Sequence, residues 1–347
     1  MRVHPHIASL VGALMVAAFA IAGSPLSAQA ASAQRSIASA PITASSVNTP
    51  GARATHITDK VILPETSIDG PALDSVATGG TNESVIAWTG TDALNHLNVE
   101  TSADGLHFGH KLILDDTSAF RPDVAIGALN APISVAWTGT DPNHSLNVLY
   151  DVYGSPEKLT LWNENSFTAP ALLNGPGSLW LAWAGTDPNH SLNILPIAAS
   201  SSGLVAGTKV ILSQDSSDAA PHLRRGSATV IDLDWASSGL QLTLAGATTP
   251  QGLQPGTGLP ETSASAPDTF VLGSFIGAGG KIWVGWTGTD LNHHLNLEWA
   301  DGVFPGTKTI LAETALGGPA LSYNGGYLVA WTGADVANHL NVARFDA

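Results

Sequence analysis

WTGTDPNHSLNV at Trp137–Val148 returns as WAGTDPNHSLNI at Trp183–Ile194, with the two tryptophans 46 positions apart. Near-copies begin at Trp88 (WTGTDALNHLNV), Trp286 (WTGTDLNHHLNL) and Trp331 (WTGADVANHLNV), and a worn trace begins at Trp235 (WASSGLQLTL). The tryptophans recur every 45 to 52 residues. Self-similarity at that period means one supersecondary unit repeated along the chain, and it constrains the whole fold.

A second landmark keeps step with the first. Short strand-like runs lead through a polar turn to a proline: KVILPETSIDGP from Lys60, KLILDDTSAFRP from Lys111, KLTLWNENSFTAP from Lys158, KVILSQDSSDAAP from Lys209 and KTILAETALGGP from Lys308. GTGLPETSASAP from Gly256 fills the remaining place without the lysine. Just before each tryptophan stand β-branched and aromatic runs such as SVIAW, ISVAW and YLVAW, which read as strands. Their near-continuous apolarity predicts burial on both faces. Further short strands follow the proline and the motif, and no window carries a helical period. Four short strands in about 48 residues is the size and content of a β-propeller blade.

Strand order predicts how such a ring closes. The first recognisable strand, Lys60 to Leu63, is of the outer type, whereas the last, Leu340 to Phe345, is of the third type with nothing after it. The expected fold is therefore all-β, a six-bladed propeller of four-stranded blades over residues 58–347. The N-terminal outer strand completes the last blade, which removes the open sheet edge.

The ends and the composition narrow the function classes. Arg2, an apolar run from Ile7 to Ala22 and Ala28-Gln29-Ala30 have the form of a signal peptide over 1–30. Residues 31–57, mostly Ala, Ser, Thr and Pro, read as a linker. The expectation is a secreted protein with no membrane insertion, since no later apolar run is long enough to cross. From His56 onward there are 10 Lys+Arg and 28 Asp+Glu, a balance of 10 − 28 = −18. Few and scattered cations make nucleic acid a poor partner. Cysteine is absent, so no disulfide framework holds the fold.

The repeated turn carries the candidate site. Trp to the final Asn spans ten residues in all five good copies, so loop length is constant. The Gly two residues after Trp suits a positive-φ position, and the Asp can close an Asx turn. The His changes place: Asn-His follows Asp by two residues at Trp137, Trp183 and Trp286, but by three at Trp88 and Trp331. A strand side chain would reverse its face with such a step, so the His belongs to a loop tip. Structural roles compete with binding roles here. The tryptophans suit inter-blade packing, Asp and the last Asn suit turn building, and the His tip suits either backbone satisfaction or a ligand. The unit at Trp235 keeps Trp and proline yet loses Gly, Asp, Asn and His, which favours repeated sites over obligatory scaffold.

Small polar loops beside tryptophan suit sugar recognition, with amides and carboxylates for hydroxyls and an indole for a pyranose face. The candidate ligand-binding residues are Asp92, Asn95, His96, Asp141, Asn143, His144, Asp187, Asn189, His190, Asp290, Asn292, His293, His294, Asp335, Asn338 and His339. In architecture the chain resembles repeat-built β-propeller lectins, which implies several weak sites on one rigid frame. The expected partners are neutral glycans or glycoconjugates, because a negative surface repels acidic sugars. A protein-interaction or structural propeller is the alternative.

An enzyme reading is a sialidase-like glycoside hydrolase. Ser102-Ala103-Asp104-Gly105-Leu106-His107-Phe108 is similar to a shortened sialidase Asp box, and Phe120-Arg121-Pro122 to the start of the first arginine motif of that family. The resemblance implies an arginine triad, drawn from Arg121, Arg224, Arg225 and Arg344. Adjacent Arg224 and Arg225 should point apart on a strand, and carboxylates that recur by blade suit equivalent sites better than one hydrolytic centre. No cofactor is expected. Asp141-x-Asn143-x-Ser145 and Asp187-x-Asn189-x-Ser191 imitate the opening of a calcium loop but lack its closing Glu.

Overall fold

The computed structural model describes residues 55–346 except 79, 176, 201–202, 228–229, 238, 248, 254–255, 273–280 and 302–304. The leader expected over 1–30 and the linker up to residue 54 lie outside the described residues. Strand β1 (His56–Thr66) begins two residues ahead of the expected boundary at residue 58.

After β1 the chain repeats one antiparallel meander. The first set is β2 (Ala72–Thr78), β3 (Thr81–Thr89), β4 (His96–Ser102) and β5 (Gly109–Thr117). The second is β6 (Asp123–Ile126), β7 (Ile133–Thr138), β8 (Ser145–Tyr150) and β9 (Glu157–Asn165). In the third, β10 (Ala171–Gly175) and β11 (Ser178–Ala184) lead to a long β12 (Ser191–Ser200). Both β13 (Gly203–Ala206) and β14 (Val210–Ser216) pair with β12. The fourth is β15 (His222–Ser227), β16 (Val230–Ala236), β17 (Gln241–Ala247) and β18 (Thr257–Thr262). The rest forms one seven-stranded sheet: β19 (Asp268–Leu272), β20 (Lys281–Thr287), β21 (His294–Asp301), β22 (Thr307–Tyr323), β23 (Tyr327–Gly333), β24 (His339–Asp346) and β1. The protein is all-β; a 3-10 turn at Pro250–Gly252 is the one helical element among the described residues.

The seven-stranded sheet is two such sets joined by one strand. β22 pairs with β21 over Thr307–Thr314 and with β23 from Ala315 to Tyr323. Elsewhere a serine marks this crossing: Ser67, Ser118, Ser166, Ser217 and Ser263 each donate Oγ to a backbone carbonyl just after the next tryptophan. Position 315 is alanine, and there the strand runs on unbroken. β1 lies antiparallel on β24, from His56 opposite Asp346 to Thr66 opposite His339. The first strand among the described residues is thus the outer strand of the last set.

No set encloses a core of its own. Six hydrophobic clusters each straddle two successive sets, as where Trp137 joins Val85, Leu97 and Val99, and a small seventh gathers Ala169, Ala220 and Ala266 against Phe120. The cluster of Leu63, Leu73, Ile86 and Trp88 with Leu328, Leu340 and Val342 does the same between last and first. The six motif tryptophans are about 1% exposed and face back onto the preceding set. The inner strands neighbour one another in the order β2, β6, β10, β15, β19, β22 and back to β2.

A lysine stands over the ring of five of these indoles. Lys60, Lys111, Lys158, Lys209 and Lys308 lie 5.0–5.8 Å from the rings of Trp331, Trp88, Trp137, Trp183 and Trp286. A cation held over an aromatic face is attracted by its quadrupole. The same lysines pair with Glu313, Glu65, Asp116, Glu164 and Glu261 of the preceding set. In the worn set Gly256 replaces the lysine: a Cβ there would lie 2.3 Å from Trp235, so backbone itself covers the ring.

Deleting residues 56–66 should destabilise the whole fold rather than fray one end. Loss of the buried Leu63 side chain alone costs about 1.5–3 kcal/mol. Each kcal/mol moves the midpoint of a domain this size by roughly 2–4 °C. A single cooperative transition at lower temperature is expected in calorimetry; a midpoint equal to the parent's would refute the closing role of β1.

Candidate functional site

Each repeated turn is built by its aspartate. Asp141 accepts hydrogen bonds from Asn143 N, Ser145 N and Ser145 Oγ, all at 3.0 Å. Asp187 does the same with Asn189 and Ser191. Asp92 accepts from Leu94 N and His96 N, with His96 Nδ1 at 2.8 Å. Asp290 and Asp335 repeat this through His294 and His339, whose Nδ1 atoms lie at 2.8 and 2.9 Å. The side chain four residues after Asp is always a second anchor, either Ser or His.

This geometry explains the wandering histidine. The residue three after Asp has positive φ in every copy: Asn95 (58°), His144 (54°), His190 (50°), His293 (53°) and Asn338 (58°). Asn and His tolerate this left-handed region better than most side chains. A His at this place leaves the aspartate of its own turn: His144 packs edge-on to Phe120, and His190 lies tilted against Phe167 with ring centroids 4.0 Å apart. His293 Nδ1 lies 3.3 Å from Gly288 O. The worn set keeps the bend with Leu240 at φ 65°.

The glycine reading requires correction. Gly90, Gly139, Gly185, Gly288 and Gly333 are not among the positive-φ residues. They are glycines because a Cβ would lie 2.6–2.9 Å from the Asp carboxylate and 2.8–3.0 Å from the Asn amide. Those amides, on Asn98, Asn147, Asn193, Asn296 and Asn341, donate to the carbonyl two residues back. Two polar side chains thus fill the volume above each glycine.

The sixteen candidate residues do not converge on one centre; they form five separate turns. Each is bonded to the crossing that follows its own set, as Ser166 N to His144 O and Ala315 N to His293 O. Neighbouring threonines tie it to the crossing before, as Thr140 to Thr117 and Thr289 to Thr262. This shared bonding sets the turns along one face. Burial is the largest single influence on the five aspartates and pushes upward, but the turn hydrogen bonds together outweigh it. All five carboxyls therefore stay below the ordinary value. They remain open to solvent: Asp92, Asp290 and Asp335 side chains are 43–46% exposed. The tryptophans are not available, being enclosed between protein and lysine.

A second polar centre lies among the inner strands, and reading the repeats alone passes over it. Asp74, Asp123 and Asp268 reach from one inner strand to the next and accept from Ile126 N, Leu172 N and Leu321 N. These bonds satisfy edge N–H groups that no further strand covers. His222 Nδ1 stands 3.3 Å from Asp234 Oδ1 and 3.2 Å from Asp268 Oδ1. Burial pushes Asp74 and Asp268 up to about 6 and Asp232 and Asp234 to about 7, and it lowers His222. The signal was in the sequence: the residue before each motif tryptophan is Ala or Gly except Asp234.

Of the arginines weighed for a triad, Arg224 and Arg225 both line this region, although neighbours on a strand should face apart. Arg224 is half-buried over Phe270, whereas Arg225 is exposed and donates to Asn174 O. Arg121 donates to Pro319 O, and Arg344 to Asp104 O. The segment similar to an Asp box forms the β4–β5 turn, where Asp104 accepts from Ser102 Oγ, Leu106 N and His107 N. Gly105 has φ 77°, and a Cβ there would meet Leu328 at 2.5 Å.

No family model matches the chain, and no curated protein matches it by sequence. Solved structures do. The Aleuria aurantia lectin, described as a six-bladed β-propeller with a fucose recognition mode, has TM-score 0.57 at 11% identity, covering 82% of this chain and 96% of that one. The SapL1 lectin in complex with α-methyl fucoside has TM-score 0.56 at 12% identity, covering 80% and 94%. The Hadza microbial sialidase Hz136 has TM-score 0.54 at 11% identity, covering 81% and 66%. The fold is that of a β-propeller, similar to the propellers of lectins.

Two measurements test this account. Gly139→Ala should cost about 1–3 kcal/mol through overpacking against Asp141 and Asn147, while Gly109→Ala, with open space around it, should stay within about 0.5 kcal/mol. The buried acids bind their protons more tightly folded than unfolded. Their contribution is complete below the unfolded pKa near 4 and is lost as pH rises through 6 to 7. Thermal midpoints should fall from pH 5 to pH 8, and Asp234→Asn should flatten the slope. A midpoint that rises over this range contradicts the burial of these carboxyls.

Proposed function

We propose that the protein is a secreted, multivalent carbohydrate-binding propeller. Its six four-stranded blades form a disc closed by β1, and up to five similar turns bind a neutral glycan on one face. The pairing of β1 with β24 and the cyclic order of inner strands support the blade count. The leader-like N-terminus supports export.

The observation that carries the functional reading is the repeated turn itself. Five copies keep one bonding pattern, while the worn set closes its bend by Leu240 N to Ser237 O, and its sequence there has no Asp, Asn or His. The fold therefore tolerates a plainer turn, and retention of the polar one calls for a further role. Each tip presents an exposed Asp face with Asn or His beside it, groups that donate to and accept from hydroxyls. Hydroxyl contacts rather than indole stacking carry the binding. The negative balance of the folded chain selects neutral over acidic sugars. Single sites are weak, and several on one rigid face gain avidity on a dense surface. The lectin neighbours, which recognise fucose or bind α-methyl fucoside, agree with a sugar ligand. No cofactor is invoked.

A second reading, a protein-interaction face, has one specific observation behind it. Leu94, Leu291 and Val336 are 63–107% exposed at three of the five turn tips.

A glycan array with and without chelator tests the proposal. Asn143→Ala with His144→Asn spares Asp141 and the left-handed bend, so the midpoint should hold while retention on a dense neutral glycan weakens. The same pair of changes at 189/190 and 292/293 in addition should weaken retention further, to what the turns at Asp92 and Asp335 alone can hold. If no immobilised glycan holds the parent protein under any condition, the lectin reading fails and a protein partner takes its place.

A further inference from the structure

The worn set has gained as well as lost. It alone supplies His222, Arg224, Arg225, Asp232 and Asp234, the larger part of the charged groups among the inner strands. The positions matching Arg224 in the other inner strands are Asp74, Ala125, Leu173, Phe270 and Ser322. A set that sheds the shared turn while concentrating single-copy charged residues at the centre has specialised.

Of these, His222, Arg224 and Arg225 border a cavity of about 310 Å³. Every inner strand contributes to its wall. Buried Asp123 and His222 form its floor, and exposed Ala77 and Arg225 stand at its mouth. These are the starts and ends of inner strands. The mouth therefore opens away from the face of the repeated turns. Leu173, Leu223 and Phe270 supply an apolar strip of wall between the two ends, within a lining that is otherwise mostly polar. The volume suits a ring-sized molecule, at the small end of ligand cavities.

The charged groups differ in what they have left to offer. Asp74 and Asp123 each spend both oxygens on backbone N–H groups. Asp234 and Asp268 flank His222 and bond to Thr269 Oγ1 and Leu321 N behind the wall. Arg224 instead lies 4.5 Å over Phe270, with Nη1 lacking a hydrogen-bond partner among the described residues. Arg225 engages one carbonyl through Nη2 at the rim. A planar guanidinium matches a carboxylate in shape and charge. Three of the four arginines after His56, Arg121, Arg224 and Arg225, gather near the centre of an otherwise acidic chain.

The geometry points to a single central site for a small monocarboxylate, its carboxylate held by Arg224 and Arg225 and its compact body against Leu173, Leu223 and Phe270. This site is independent of the turn sites in residues, face, charge preference and number. It is one per chain, and it takes an anion where the turns take neutral sugars.

Titration calorimetry on the full chain tests it with two carboxylates, cyclohexanecarboxylate and glucuronate, and their neutral counterparts, cyclohexanecarboxamide and glucose. Expected is one site per chain for at least one carboxylate, with its neutral counterpart roughly tenfold weaker or worse, the scale of one lost charged hydrogen bond. Arg224→Gln should abolish binding. Because that change disturbs a buried network, Arg225→Gln and Ala77→Trp at the exposed mouth provide the second arm and should weaken binding without moving the melting midpoint. Asn143→Ala with His144→Asn should leave carboxylate binding unchanged. Neither carboxylate binding at millimolar concentration, equal binding of the neutral counterparts, or full binding by both Arg225→Gln and Ala77→Trp would each overturn the assignment.

Discussion

Everything in this fold depends on a tryptophan that packs backward. Because each motif indole fills the interface with the preceding set, a lone set would leave its largest apolar side chain without a partner. Stability in such an array resides in the interfaces, so each set needs both neighbours. The lysine above the ring then holds the indole from outside its apolar contacts and reaches an acid of that same preceding set. Packing and charge thus run in one direction around the chain. This explains how roughly 290 residues without a cysteine hold together.

The same economy shapes the turns. An aspartate that anchors three donors of its own loop makes the loop rigid before any ligand arrives, and rigidity lowers the entropic cost of binding. Scaffold and site are therefore not opposed readings of one residue. Asp141 builds the turn with the inner part of its carboxylate and presents the remainder outward.

Much of the architecture was legible in the sequence because repetition reports it many times over. The Trp period, the proline landmarks and the outer-first, third-type-last order of strands anticipated the pairing of β1 with β24. The residue chemistry was harder. The glycine beside each turn reads from sequence as a backbone device, yet its role is to make room for Asp and Asn, a distinction that needs the third dimension. The Lys–acid pairs escaped because partners stand 42 to 253 residues apart. The central cluster escaped for the opposite reason: His222, Arg224 and Asp234 occur once, and a search for what recurs discards what does not. Arg224 and Arg225 defied the alternation rule because Arg225 reaches round the rim to Asn174, as a long side chain at a strand end can.

The pairing of β1 with β24 has a mechanical consequence. His56 lies opposite Asp346, so the two ends of the folded chain leave the sheet side by side. A force that separates them peels β1 from its partner one rung at a time instead of shearing all the rungs together. A latch that holds the whole fold against heat is thus easy to open by pulling. A chain tethered through residue 55 and loaded through residue 346 would yield first at the seam, before any tryptophan interface is strained.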